Sequence, residues 1–217
     1  MPKKIALFPF GGNAREALLP ILAANAKKKE WDVLGFIDDD PKVHGKDCLG
    51  VKVLGGREVL GGFPGVSVLA VPGNPKSFSR RREIIESLGL DDKRFATIID
   101  PSVVVSPDAR IGRNVLLMAN VVVSCGVTIG DHCIVLPNTS ILHDTVIGDY
   151  TCVGSNVSIS GGVRVGAGCY IGSGSRIKES VSVKEGALIG LGANVISDID
   201  GGVVAVGNPA RVIRKAE

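Results

Sequence analysis

Three histidines occur among the 217 residues, and one of them, His143, is followed directly by Asp144. An imidazole titrates near neutral pH and can take a proton from an attacking nucleophile. The adjacent carboxylate would raise its basicity or hold one tautomer, so Leu142-His143-Asp144-Thr145 reads as a general-base motif. His44 falls in a polar loop after an aspartate-rich turn, and His132 reads as a solvent-facing position. A second set of candidates precedes residue 80: Gly11-Gly12-Asn13, Asp38-Asp39-Asp40 and Gly73-Asn74. Glycines at a helix start let backbone approach a phosphate, and an aspartate past a strand can accept from base or ribose donors. The five cysteines are odd in number and form no CxxC pair, which argues against both a disulfide framework and a zinc site. Cys152 has no base adjacent in sequence to make it a nucleophile.

The elements that must hold these residues are of two kinds. Up to about residue 95, strand alternates with helix. Lys4 to Phe8 reads as a buried strand and Ala14 to Ala26 as an amphipathic helix. Val33 to Ile37 is a second strand, ended by Asp38-Asp39-Asp40-Pro41, and Val66 to Val71 is a third. Pro75 to Leu88 reads as a helix and Phe95 to Ile99 as a fourth strand. The alternation predicts an α/β, Rossmann-like domain over residues 1–98, with ligands beyond the carboxyl ends of its strands.

From Ile99 the spacing becomes six. Every sixth residue from Ile99 to Val195 is Ile, Leu or Val, and the residue four further on is small or β-branched, as at Val121, Cys133, Thr139, Ser175 and Ala193. The residue after the aliphatic is often glycine, as at Gly112, Gly148 and Gly172, where a turn or positive φ is expected. Six residues at about 3.3 Å make a side of about 20 Å, and three sides close a coil of about 18 residues whose strands stack in parallel. The repeat therefore predicts a parallel β-helix with the aliphatic series as its core.

Residues 18 apart then lie above one another. Cys125 falls below His143 and Gly161 above it, while Gly126 and Gly162 bracket Asp144. Two glycines over the pair predict open space beside the imidazole where two substrates could meet. The amides around Gly161 and Gly162 are candidate donors to an oxyanion. Asn120, Asn138 and Asn156 share another column and read as a turn-stabilising ladder.

Composition sets outer limits. A net charge of +3 is too small for a nucleic-acid surface, and the runs Lys27–Lys29 and Arg80–Arg82 read as solvated helix faces. No apolar run reaches the ~18 residues that span a bilayer, and no cleavable leader precedes the first strand. Free thiols fit the cytosol, so a cytoplasmic location is expected.

Taken together, the hexad repeat, the His143-Asp144 motif and the ending Val206-Gly207-Asn208-Pro209-Ala210-Arg211 resemble the hexapeptide-repeat acyltransferases. That resemblance implies a left-handed parallel β-helix over residues 99–217 with a C-terminal extension, a homotrimer, and acetyl-CoA held in clefts between subunits. The N-terminal segments resemble the subgroup that N-acetylates UDP- or GDP-linked 4-amino sugars, in which they hold the nucleotide sugar. Carried over by position, the resemblance implies His143 and Asp144 as catalytic residues, with no metal. It implies Cys152, Gly161, Gly162, Ser173 and Leu191 at the acetyl-CoA. Arg164, Arg211, Arg214 and Lys215 are basic enough to meet its phosphates, though exposed basic residues near a terminus usually do nothing specific. The nucleotide sugar would meet Gly11, Gly12, Asn13, Asp38, Asp39, Gly73 and Asn74.

Two positions depart from the subgroup. Cys152 stands where many members have a second histidine, nine residues after the base, and Asp100-Pro101 stands where many have His-Pro. The expected activity is acetyl transfer to a nucleotide-linked amino sugar in bacterial surface-glycan synthesis. An O-acetyltransferase acting on a sialic-acid-like sugar is the alternative. A non-catalytic or metal-binding β-helix is a third reading, weakened because His44 lies outside the solenoid and leaves no histidine triad.

Overall fold

The computed structural model describes residues 1–216. Its N-terminal sheet contains β1 (Lys3–Phe8), β2 (Trp31–Ile37), β3 (Asp47–Cys48), β4 (Val51–Gly55) and β5 (Ser67–Ala70) in the order β3-β4-β2-β1-β5. All neighbours are parallel except β3, which pairs antiparallel with β4. Alternate residues of β1 enter two cores, as strand pleating requires. Ile5 and Leu7 pack with Ala14, Leu18 and Ile21, whereas Ala6 and Phe8 pack with Leu60 and Ile85. Helical segments thus cover both faces.

The local departures from expectation have local causes. The first helix divides into α1 (Gly12–Glu16) and α2 (Leu18–Lys27), because Pro20 has no N–H for the Glu16 carbonyl. The next helix, α3, spans only Arg81–Glu86: Asn74 Oδ1 accepts from Lys76 N and Ser77 N donates to Asn74 O, which turns the segment before it can wind. The β3–β4 hairpin escaped the strand pattern, since its turn residues Leu49 and Gly50 (φ 53° and 77°) replace the usual Asn-Gly signal. Phe95 makes only an isolated bridge to Val68. Ile98–Ile99 instead pairs with Leu116–Leu117 as the first rung of the solenoid.

Three parallel sheets form that solenoid, and they fit the left-handed β-helix expected of the repeat. The first face stacks six two-residue strands from Val104–Val105 to Asn194–Val195, and the second stacks five from Arg110–Ile111 to Ser182–Val183. On the third face Ile98–Ile99 is followed by Leu116–Leu117, Ile134–Val135, Cys152–Val153, Tyr170–Ile171 and Leu188–Ile189. Cα partners are 18 residues apart, as in Val122↔Ser140 and Thr128↔Val146. The aliphatic series is buried from Leu117 onward, but Ile99 is 38% exposed because it belongs to the end coil. Buried hydroxyls in the second inward register find carbonyls one coil on: Thr145 Oγ1 donates to Ser160 O at 2.9 Å and Thr151 Oγ1 to Gly166 O at 3.0 Å. Val203–Val206 adds to the third face and folds back antiparallel on Arg211–Lys215, ending the stack.

The glycines after the aliphatics do not take positive φ. At Gly148, a Cβ would meet Ala167 N at 2.5 Å and Gly166 C at 2.7 Å, so close approach of successive corners is what demands glycine there. The two parts of the chain share one core. Leu116, Met118, Ile134 and Cys152 of the third face pack with Ile5, Leu7 and Leu69, and Arg113 ion-pairs with both Asp92 and Asp131. At that junction Asn13 of α1 and Gly73 of the turn after β5 meet the third face, lining a crevice with Cys152 and Tyr170.

Candidate active site

His143 lies in the corner that links the first face to the second, between strands Ser140–Ile141 and Val146–Ile147. Its Nδ1 lies 3.0 Å from Asp144 Oδ2, and the side chains are 62% and 74% exposed. With the carboxylate accepting an Nδ1–H, Nε2 carries the free lone pair. The 18-residue ruler holds here: Asp144 N donates to Cys125 O at 3.0 Å, and Gly162 N donates to His143 O at 2.8 Å.

The two glycines above the pair have separate reasons. Asp144 has φ 59°, and Gly126 and Gly162 take the same left-handed conformation (φ 69° and 68°) one coil below and above. Gly162 is therefore a turn requirement, and its amide is committed to the coil ladder, which removes it as an oxyanion donor. Gly161 has no positive φ; a Cβ there would overlap Cε1 and Nε2 of His143 and lie 2.9 Å from Cδ2. The space expected over Gly161 is thus filled by the imidazole itself, which rests on the bare glycine.

The other candidates gather at the strand ends. Gly11, Gly12, Asn13, Asp38, Asp39, Gly73 and Asn74 all line one cleft of about 410 Å³, together with Phe8, Arg57, Pro72 and Ser77. Asp38 Oδ2 accepts from Phe10 N at 2.8 Å and Oδ1 from Asp40 N at 2.9 Å, so this carboxylate shapes the cleft rim. Asp39 is held by Arg57, whose Nε donates to Oδ2 at 2.8 Å and whose backbone N donates to Oδ1 at 2.9 Å. That bonding keeps the Asp39 carboxyl below the usual carboxylate range. Asn13 Nδ2 donates to Val71 O at 3.3 Å and Gly73 O at 3.2 Å, tying the helix start to the turn after β5.

The residues assigned to acetyl-CoA divide into two groups. Gly161 and Gly162 lie with His143. Cys152 is on the third face, in a narrow crevice lined by Asn13, Gly73, Gly154 and Tyr170 that adjoins the cleft. Ser173 and Leu191 follow at the corner leaving that face, where Leu191 is 80% exposed. Cys152 is 5% exposed, and burial pushes its thiol pKa up, so it is not poised as a nucleophile. In a triangular prism a corner lies opposite one face, and the His143 corner is the one opposite the third face. One chain therefore does not bring His143 to the cleft.

Several residues were misread or missed. His132 is 6% exposed rather than solvent-facing: it stacks on Tyr150 (4.7 Å between centroids), meets Phe95 edge-on and has Nδ1 3.0 Å from Asn114 Nδ2. Burial lowers its pKa, with Asp131 opposing. Within the expected solvated run, Arg80 is an exposed partner of Glu83, but Arg81 is 1% exposed. Arg57 joins the cleft with no motif to mark it. The asparagine column has one side-chain rung, Asn120 Nδ2 donating to Asn138 Oδ1 at 3.1 Å, and all three residues take positive φ. Among the described residues, no cluster of three His, Cys, Asp or Glu could hold a metal ion, and no helix is long and apolar enough to cross a membrane.

Residues 95–191, under half of the chain, match the family model described as the GMPPB C-terminal domain. Comparison with curated proteins gives no match. Solved structures match far more of the chain. The acetyltransferase domain of PglB from Neisseria gonorrhoeae is 28% identical with a TM-score of 0.82, covering 97% of this chain and 100% of that one. PerB from Caulobacter crescentus, in complex with CoA and GDP-perosamine, is 26% identical with a TM-score of 0.83, covering 98% of both. WeeI from Acinetobacter baumannii shares the fold at 23% identity and a TM-score of 0.76, covering 98% of this chain and 100% of that one. By its repeat, its fold and this likeness along nearly the whole chain, the protein is similar to hexapeptide-repeat acetyltransferases.

Proposed function

We propose that the protein transfers the acetyl group of acetyl-CoA to the amine of a nucleotide-linked 4-amino sugar. Residues 1–98 act as a Rossmann-like domain for the nucleotide sugar, and residues 99–217 carry the chemistry. The observation that carries this reading is the pairing, in one chain, of a strand-end cleft with an exposed His143–Asp144 pair. Support comes from a relative bound to CoA and GDP-perosamine that aligns over 98% of both chains, and from the PglB domain in complex with acetyl coenzyme A.

Asp144 holds the Nδ1–H of His143, and Nε2 removes a proton as the acceptor nitrogen attacks the thioester carbonyl carbon. The carbonyl oxygen gains negative charge, for which the Gly161 amide, outside the coil ladder, is the donor. When the intermediate collapses the C–S bond breaks, and the departing thiolate takes the proton from the imidazolium. No acyl-enzyme forms. Because His143 and the cleft lie on opposite sides of one solenoid, the working unit is a homotrimer in which the His143 corner of one subunit meets the third face of the next.

The test is thiol release from acetyl-CoA with UDP- and GDP-linked 4-amino sugars. His143→Ala should abolish turnover and leave acetyl-CoA binding measurable; an undiminished rate would sink the mechanism. Nucleotide sugars should raise the melting temperature. If free sugars raise it and nucleotide sugars do not, the acceptor assignment fails.

A further inference from the structure

The geometry points to Arg81 as a positioning residue that fixes the Pro72–Gly73 turn, and with it the acceptor, against the third face of the solenoid; this rests on reading the cleft as the nucleotide-sugar site. Arg81 is 1% exposed. Its Nε donates to Tyr150 O at 3.0 Å, its Nη1 to Pro72 O and its Nη2 to His132 O. A buried guanidinium is costly unless its N–H groups are matched, and here the recorded acceptors are all backbone carbonyls. They come from separate segments: Pro72 from the turn after β5, and His132 and Tyr150 from one corner column of successive coils. A rigid planar fork across these three points sets the spacing between cleft and solenoid, which a lysine ammonium on a flexible stem does not.

Gly73 shows how closely that spacing is set. A Cβ there would lie 3.0 Å from Arg81 Nη1, 3.0 Å from Cys152 Sγ and 3.3 Å from Asn13 Nδ2. The turn is gripped between the buried cation, the third face and the amide at the α1 start. It lines the cleft on one side, while Gly73 also lines the crevice over Cys152. A shift of the turn therefore displaces acceptor relative to donor.

Wild type and Arg81→Lys are compared in nucleotide binding and in steady-state kinetics. We expect kcat/KM for the nucleotide sugar to fall about 30-fold or more, with KM for acetyl-CoA within about twofold of wild type. Iodoacetamide should label Cys152 faster in the variant, with exposed Cys125 as internal control. A structural role alone would lower kcat by the fraction of active enzyme lost and leave both KM values and nucleotide binding by the folded fraction unchanged, so the inference requires KM for the nucleotide sugar to rise. If wild type binds neither UDP- nor GDP-sugars, the cleft reading falls and takes this inference with it. If wild type binds them and Arg81→Lys matches it in kcat/KM, only the inference is overturned. Should Arg81→Lys not fold, hydrogen exchange on wild type decides: slow exchange of segment 71–77 without ligand supports a turn held by Arg81, and exchange at loop rates refutes it.

Discussion

Gly161→Ala isolates the seat of the imidazole from the chemistry of the imidazole. The added methyl overlaps Cε1 and Nε2 of His143, against an ordinary carbon contact of about 3.5–4.0 Å. Gly161 has no positive φ, so the backbone accepts alanine without strain, and the 62% exposed imidazole can swing into solvent. Stability should be nearly unchanged, within about 0.5 kcal/mol as for other surface substitutions. The ring must move by about 1 Å, and displacement of that size costs about 100-fold in rate, or about 2.7 kcal/mol of barrier. Thiol release at saturating acetyl-CoA and acceptor measures kcat, and a melting curve checks the fold. In a His143→Ala background the same substitution should have no further effect, because the two residues act as one unit. A kcat within twofold of wild type at an unchanged melting temperature would refute the placement of the base over Gly161.

Asp144→Asn should lower kcat by about tenfold, less than for a buried triad carboxylate because this pair faces solvent, with KM for both substrates retained; an unchanged kcat would free Asp144 from any role in holding the tautomer. Asp39 has its pKa lowered chiefly by the hydrogen bond from Arg57. Its contribution to stability is therefore present above the unfolded value near 3.8 and is lost as pH falls through the lower folded value, so Asp39→Asn should flatten the melting-temperature decline below pH 3.8; an unaltered acid limb would contradict the pairing. His132 has its pKa lowered chiefly by burial. The unfolded chain then binds the proton more readily, and stability should fall as pH drops through 6.5, a dependence that His132→Phe should reduce; identical pH profiles for the two proteins would show the ring to be solvated.

Those two histidines mark where sequence reasoning succeeds and where it stops. A β-helix is legible because each coil repeats the same local demand. The inward aliphatic and the small residue four later are set by packing within 18 residues, and a period of that length survives inspection of one chain. His143 and Gly161 were paired correctly on that ruler alone. His132 also lies outside the inward register, with Tyr150 stacked on it one coil above as the ruler requires, yet it is buried because Phe95 from the N-terminal part covers it. Contacts between parts of different periodicity leave no repeat behind. The same limit hid Arg81, which looks like the middle of a charged run until the β5 turn and two coil carbonyls are brought to it. The ruler does separate Ser173 and Leu191, which share one column, from Gly161, which shares the column of His143. A column repeat says which residues stack within one solenoid and is silent about which corner faces a neighbour. The separation of His143 from the strand-end cleft therefore bears on assembly as much as on chemistry. Mixed subunits carrying either His143→Ala or a cleft substitution should regain activity on exchange if the two halves of the site come from different chains, and should stay inactive if each chain works alone.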